Sequence, residues 1–161
     1  MFLNANYDDL AGQVIAEGEY EVVIATANQN VTQGGTEFLD IQMKIRQDIM
    51  QQHQNQMIFY RIWKKKQPTD ADPGGYVGRS IQQMSKAVLI PDGAQIATLD
   101  AWLEMITNRP IRVKVKHEMY NDNKQVVVAW TKESNQPQVS SNKIDVTAEY
   151  VAISNDEDAP F

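Results

Sequence analysis

The sequence predicts a mainly β protein with one folded domain followed by a polar, acidic segment. Five short segments alternate apolar and polar residues with the two-residue period of a strand, and a helical pattern interrupts them after the third. From residue 133 the composition changes to Ser, Asn, Gln and Pro. Because 161 residues supply one core of ordinary size, we expect a domain over residues 1–132. Residues 133–161 are expected to form a linker and a disordered acidic tail.

The first two predicted strands alternate most regularly. The first follows Gly18, and a polar stretch over residues 28–35 predicts the loop that ends it. The second follows Thr36, and its period of two predicts which side chains share a face. We expect the inward residues to be Leu39, Ile41, Met43 and Ile45. We expect the outward residues to be Phe38, Asp40, Gln42, Lys44 and Arg46.

The third predicted strand, residues 57–63, is rich in aromatic and β-branched residues, and two registers are open for it. In one register Phe59, Arg61 and Trp63 face outward. In the other, Phe59 and Trp63 fill the core and Tyr60 becomes the exposed aromatic residue. The first register is favoured because the second would turn Arg61 into the core, which is costly for an unpaired charge.

Two helices and a hairpin are predicted next. Residues 79–89 carry apolar side chains at helical spacing, and Thr98 suits the N-cap of a second helix in which Trp102 belongs to the core. Residues 111–116 and 126–130 then alternate on either side of a polar turn, which predicts a hairpin. For the later apolar stretch over residues 144–153, an added edge strand and an extended chain are both open.

Three strands, a helical insertion and a hairpin are the element order of the OB-fold. This fold is a partly open five-stranded barrel that binds oligonucleotides on its second and third strands and through two loops. Small sandwiches can give the same order of elements. The expected architecture is the OB-fold barrel, with its helical insertion between the third and fourth strands.

The charge of the chain is unevenly distributed. The net charge is -6, and residues 133–161 account for -5 of it. Fourteen of the fifteen Lys and Arg residues lie between Lys44 and Lys132. A basic face on the folded domain is therefore compatible with an acidic protein.

Cations and aromatic residues on the predicted strands indicate a surface for single-stranded DNA. Binding without sequence preference needs cations along the phosphates and aromatic faces on which bases stack. The candidates on the second and third strands and just after them are Phe38, Lys44, Arg46, Phe59, Arg61, Trp63, Lys64, Lys65 and Lys66. The candidates on the fourth strand and the hairpin loop are Arg112, Lys114, Lys116 and Tyr120. For each basic stripe a merely solvated face is the alternative, and Trp130 stays unassigned.

The last six residues form a candidate docking peptide for partner proteins. They are Asp156, Glu157, Asp158, Ala159, Pro160 and Phe161. Acidic ends are often only solvating, but a terminal aromatic residue contributes nothing to solvation. Proline restricts the backbone before that aromatic anchor, and the acids steer it toward a basic rim. The pattern therefore favours recognition by another protein.

Two resemblances follow from these residues. The last six residues resemble the terminal acidic peptide of bacterial single-stranded-DNA-binding proteins, which in that family recruits repair and replication enzymes and competes with DNA. Residues 17–22, 34–41 and 108–113 are similar to a phage-encoded family of single-stranded-DNA-binding proteins with an OB-fold. This second resemblance covers residues 15–132 and implies a protein that coats single strands during phage replication or recombination.

Catalysis, cofactors and membranes find no support in the sequence. His53 and His117 stand apart, no phosphate-binding GxxxxGK[ST] motif is present, and a magnesium site at Asp70 and Asp72 would lack a third ligand. We therefore expect no enzyme activity, no cofactor and no bound metal. Zero cysteines, no signal peptide and no membrane-spanning run favour a cytoplasmic protein, in the host cytoplasm if it is phage-encoded.

The leading functional hypothesis is a binding protein that coats single-stranded DNA and recruits replication, recombination or repair proteins through its tail. The alternative is an adaptor that uses the tail to occupy such an enzyme without binding DNA. A homo-oligomer is compatible with either, since the sequence does not set the oligomeric state.

Overall fold

The computed structural model describes residues 1–3 and 14–137. The five strands are β1 Gly18–Val31, β2 Glu37–Ile45, β3 Met57–Trp63, β4 Pro110–Tyr120 and β5 Asn123–Glu133. The two α-helices are α1 Gly78–Ala87 and α2 Leu99–Ile106, and a short 3-10 turn at Pro73–Gly75 precedes them. The predicted mainly β fold is confirmed, as is the position of the helices between the third and fourth strands.

The five strands form one antiparallel sheet in the order β3-β2-β1-β4-β5. The strands β3 and β5 are its two edges. Some of their Cα atoms come within 8 Å of each other, but no strand pairing joins them in the part of the chain that the structure describes. The sheet is therefore strongly curved and not closed by hydrogen bonds.

The core lies between the inner face of the curved sheet and the two helices. The four inward residues predicted for β2 are completely buried, as Leu39, Ile41, Met43 and Ile45 show 0 % exposure. The helices add their apolar faces to the same core, including Met84 of α1 and Trp102 of α2. The side chain of Thr98 accepts from the backbone N–H of Ala101, as expected of an N-cap. Within the described ranges, no helix has the length and apolar character needed to cross a membrane.

The strand β1 is longer than the sequence predicted. Asn28, Gln29, Asn30 and Val31 were expected in a loop, but their backbone pairs with β2, where Asn30 lies opposite Phe38. Their side chains are exposed, so the composition resembles a loop while the backbone hydrogen bonds define a strand. A bulge between Ile24 and Thr26 shifts the register within this strand.

The register of β3 is the one in which Phe59, Arg61 and Trp63 face outward. Ile58 and Ile62 are 1 % exposed, so they fill the core in place of Phe59 and Trp63. The side chains of Phe59 and Trp63 are 59 % and 40 % exposed. Tyr60 is partly buried against the core.

Candidate nucleic-acid interface

The outer surface of β2 and β3 carries three cross-strand pairs of side chains, with Lys44 beside them. We define the β2–β3 face by the outward residues Phe38, Asp40, Gln42 and Lys44 of β2 with Phe59, Arg61 and Trp63 of β3. Residues opposite each other are Phe38 and Trp63, Asp40 and Arg61, and Gln42 and Phe59. These pairs have close Cβ atoms and can contact each other directly. The face therefore combines aromatic rings and cations on one rigid surface.

Arg61 lies against two aromatic rings at the centre of this face. Its guanidinium carbon is 4.5 Å from the centroid of the Phe38 ring and 5.8 Å from that of Trp63. The two rings are 5.1 Å apart and tilted by 44°. Phe38 is only 6 % exposed, because Arg61 and Trp63 cover it. Phe38 is therefore a support for the face, whereas Trp63 and Phe59 present accessible rings.

Asp40 is the acidic residue among the seven that define the β2–β3 face. Its Oδ2 atom accepts from the side-chain amides of Asn30 at 3.4 Å and Gln42 at 3.3 Å. These amides place the carboxylate beside the cross-strand position of Arg61. With Lys44 and Arg61 against Asp40, the seven residues carry a net charge of +1, which is compatible with an approaching phosphate.

The lysines that follow β3 are exposed, and two of them form surface ion pairs. Lys64 Nζ lies 3.0 Å from Glu37 Oε1, and Lys65 Nζ lies 3.1 Å from Asp72 Oδ2. The hydrogen bond with Glu37 raises the pKa of Lys64. The Lys64–Glu37 pair is exposed on both sides, whereas the side chain of Asp72 is 6 % exposed. Exposed pairs contribute little in water, so a phosphate can replace the Glu37 carboxylate at small cost. Lys66 is exposed as well.

Asp72 organises the loop that carries its ion pair with Lys65. Its carboxylate accepts from the backbone N–H groups of Thr69 at 2.8 Å and Gly78 at 2.9 Å. These two hydrogen bonds, together with Lys65, hold the pKa of Asp72 well below its usual range. The carboxylate therefore stays ionised and joins the start of α1 to the lysine segment, which we define as residues 64–66.

The prediction that Arg46 is an exposed cation on the outer side of β2 is wrong. Arg46 is 1 % exposed, and its guanidinium donates to both carboxylate oxygens of Asp48, at 3.0 and 2.8 Å. It also donates to the carbonyl oxygen of Gln136. The alternation continues correctly to position 46, but the chain after β5 returns over this part of the sheet and covers it. Arg46 therefore stabilises the fold by joining Asp48 to the chain that follows β5.

The basic stripe predicted on β4 is present, with two of its cations paired. Arg112 Nη1 lies 2.8 Å from Glu19 Oε1, and Lys116 Nζ lies 3.0 Å from Glu118 Oε2. Lys114 is exposed. The stripe lies on the outer surface of β4, because Val113 and Val115 occupy the inner surface with 0 % exposure.

Trp130 of β5 lies beside this stripe. The sequence alone assigned no role to this residue. The Trp130 ring centroid is 5.2 Å from the Arg112 guanidinium carbon and 4.6 Å from Lys132 Nζ. Trp130 lies opposite Lys114 in the register. We define the β4–β5 face by Arg112, Lys114, Lys116, Trp130 and Lys132.

A bulge explains why the alternation of β5 did not predict that Trp130 faces outward. Val126 and Val128 pack against the core, so an uninterrupted alternation would turn Trp130 inward too. The register shifts between Lys114 and Val115, and Ala129 is the extra residue on β5. Thr131 is consequently buried, with 5 % exposure, and Trp130 turns outward.

Tyr120 lies at the end of the β4–β5 hairpin. It is 64 % exposed, beside Met119 at 66 %. The turn residues Asn121 and Asp122 have φ values of 50° and 65°, as a tight two-residue hairpin turn requires. The hairpin therefore presents an aromatic residue away from the sheet.

The structure divides the predicted site residues into two groups on the outer side of the sheet. Between the β2–β3 face and the β4–β5 face, the chain that follows β5 covers the outer side of β1 at Glu21. The Glu21 carboxylate accepts from the hydroxyl of Ser134 and from the backbone N–H of Asn135 at 3.0 Å. The predicted docking residues Asp156, Glu157, Asp158, Ala159, Pro160 and Phe161 lie outside the described residues, as do residues 144–153.

The fold and the site define a mainly β protein with two cation–aromatic faces on one curved antiparallel sheet. The chain belongs to the family described as "Protein of unknown function (DUF669)", whose model matches residues 2–154. A comparison with the curated proteins found no match.

Proposed function

We propose that this protein binds single-stranded DNA without sequence preference. The observation that carries the proposal is the β2–β3 face, where the exposed rings of Trp63 and Phe59 flank the Arg61 guanidinium. Proteins that bind single strands combine such aromatic platforms with cations along the backbone, and each stacked base contributes about 1–3 kcal/mol. Bases would stack on Trp63 and Phe59, while Arg61 and Lys44 contact phosphates.

The strand order supports an OB-type barrel as the finer architecture. In the order β3-β2-β1-β4-β5 the two edge strands approach each other, so pairing of β3 with β5 would close a five-stranded barrel. The OB-fold is a partly open barrel of five strands, and it binds oligonucleotides on its second and third strands. The β2–β3 face occupies that position.

The ion pairs of the lysine segment and the β4–β5 face are compatible with phosphate binding. Lys64, Arg112 and Lys116 each contact a solvent-exposed carboxylate. Because such pairs contribute little in water, phosphates can take the place of the carboxylates. Each phosphate so bound releases counterions, which makes affinity fall as salt rises.

Titration of the full chain with oligo-dT tests the proposal, with tryptophan fluorescence as the readout. We expect binding at low salt, loss of affinity as salt rises, and weak competition from duplex DNA. A protein that does not bind oligo-dT at low salt would overturn the proposal and favour the adaptor that acts through its tail alone.

We also propose that the last six residues recruit partner proteins involved in replication, recombination or repair. The support is the sequence pattern of three acids, a small residue, proline and a terminal phenylalanine. A chain that ends at Asn155 should lose capture of such partners and bind oligo-dT as tightly as the full chain or more tightly. Unchanged partner capture by the shortened chain would contradict this role.

A further inference from the structure

A groove of about 1100 Å³ lies between α1, α2 and the loop that joins them. Its large aliphatic and aromatic lining residues are Ile81, Leu89, Ile90, Ile96, Leu99 and Trp102. The groove shares no residue with the β2–β3 face or the β4–β5 face. It is therefore a separate surface of the helical insertion.

Leu89 is the most unusual residue of this groove. It follows Val88, the C-cap residue of α1, its backbone lies in the left-handed region with φ of 68°, and its side chain is 59 % exposed. A glycine or asparagine usually occupies such a position, because a left-handed conformation is sterically unfavourable for most other residues. A strained and exposed leucine contributes little to the fold, so contact with a further apolar segment is the better explanation.

The end of β5 lies at the groove. Glu133 ends β5 and also lines the groove, and the chain continues from there to Pro137 past Glu21 and Arg46 on the outer side of the sheet. Four residues span at most about 14 Å and the seven from Pro137 to Ile144 about 25 Å. The chain is therefore long enough for residues 144–153 to return to the groove.

Residues 144–153 have the composition that an apolar groove requires. Their apolar residues are Ile144, Val146, Ala148, Tyr150, Val151, Ala152 and Ile153. The rim of the groove has mixed charge, with Lys86 against Asp92 and Glu133, so apolar contact and not charge would select the occupant. The acids of the last six residues would meet Asp92 and Glu133, which excludes that part of the chain.

We infer that residues 144–153 bind the groove between α1 and α2 of the same chain. Leu89 and Trp102 form its apolar walls, and the segment between Pro137 and Ile144 makes the connection. This inference does not depend on DNA binding.

A spin label in the full chain tests the inference, because the sequence contains no cysteine. A nitroxide on Ala152→Cys should strongly reduce the NMR amide signals of residues 85–99. Leu89→Asn removes the apolar side chain and suits the left-handed backbone, so it should abolish this signal loss in a protein whose amide spectrum remains folded. Leu89→Met, which keeps an apolar side chain, should retain the loss.

Three results would overturn the inference. Signal loss on the edge strand β5 would show that the segment adds to the sheet. Signal loss seen only when labelled and isotope-enriched chains are mixed would show that a second copy supplies the segment. An absence of selective loss in the residues 85–99 would show that the groove does not hold residues 144–153.

Discussion

Arg46 and Asp48 form a buried ion pair where the chain leaves the folded domain. Arg46 Nη2 lies 2.8 Å from Asp48 Oδ2, and the two side chains are 0 % and 5 % exposed. The same guanidinium donates to the carbonyl oxygen of Gln136. This pair therefore holds the segment after β5 against the outer side of the sheet.

Arg46→Met should strongly destabilise the protein. The substitution leaves the Asp48 carboxylate buried without this partner, and removal of one member of a buried pair typically costs about 3–5 kcal/mol. Urea denaturation measures the change in the free energy of unfolding. Lys44→Met, two positions away on the outward side of β2, is the matched control and should cost much less. A stable Arg46→Met protein with weakened oligo-dT binding would show that Arg46 acts at the DNA.

Trp63→Ala should weaken the binding of oligo-dT. Loss of one stacking platform costs about 1–3 kcal/mol, or about 5- to 150-fold in affinity. Trp63→Phe keeps an aromatic face and should retain most of the affinity. Fluorescence anisotropy of a labelled oligonucleotide measures both variants. Equal affinities for Trp63→Ala and the parent protein would remove the β2–β3 face from the proposed site.

The β4–β5 face should contribute to binding of longer strands. We expect Trp130→Ala to weaken binding of a long oligo-dT more than binding of a very short one, because the short strand occupies only the β2–β3 face. Lys132→Gln should reduce the slope of log affinity against log salt by about 0.7 for one lost phosphate contact. Lys86→Gln on α1 is the matched control, and an equal change in that variant would point to net charge alone.

Gly78→Ala should destabilise the start of α1. A Cβ atom at Gly78 would lie 1.9 Å from the carbonyl oxygen of Ala71, so the backbone must shift. We expect a loss of about 1–3 kcal/mol in the free energy of unfolding, as in other overpacked positions. Gly34→Ala is the control, because its nearest neighbour is Thr32 Oγ1 at 3.9 Å. Similar stability of the two variants in urea denaturation would contradict the predicted clash.

The depressed pKa of Asp72 should make part of the stability dependent on pH. Backbone N–H groups of Thr69 and Gly78 stabilise the ionised carboxylate in the folded state. A group with a lowered folded pKa contributes stability that is fully present above its unfolded pKa of about 3.9 and is lost as pH falls toward the folded value. Asp72→Asn should therefore lose less stability on acidification than the parent.

Urea denaturation of Asp72→Asn and Asp70→Asn over a series of acidic pH values checks this expectation. Asp70 is exposed in the same loop, so Asp70→Asn is the matched control. We expect its stability to fall on acidification as much as that of the parent protein. A parallel loss of stability in the parent and Asp72→Asn would show that Asp72 does not carry the acid-sensitive contribution.

The sequence determined the elements because their causes are local. The alternation of Leu39, Ile41, Met43 and Ile45 matches the period of a strand, so the inward side of β2 could be predicted. The unfavourable burial of an unpaired Arg61 favoured the observed register of β3. The helix that begins after Thr98 could be predicted from capping and spacing in the same way.

Only the tertiary structure decided which outward positions form a surface. Arg46 has the parity of an exposed residue, but the returning chain at Gln136 buries it. Trp130 joins Arg112 because one extra residue at Ala129 reverses the alternation of β5. Alternation reports how each side chain points relative to its own strand. It carries no information about bulges or about a distant segment that covers the same face, since these depend on contacts between residues far apart in the sequence.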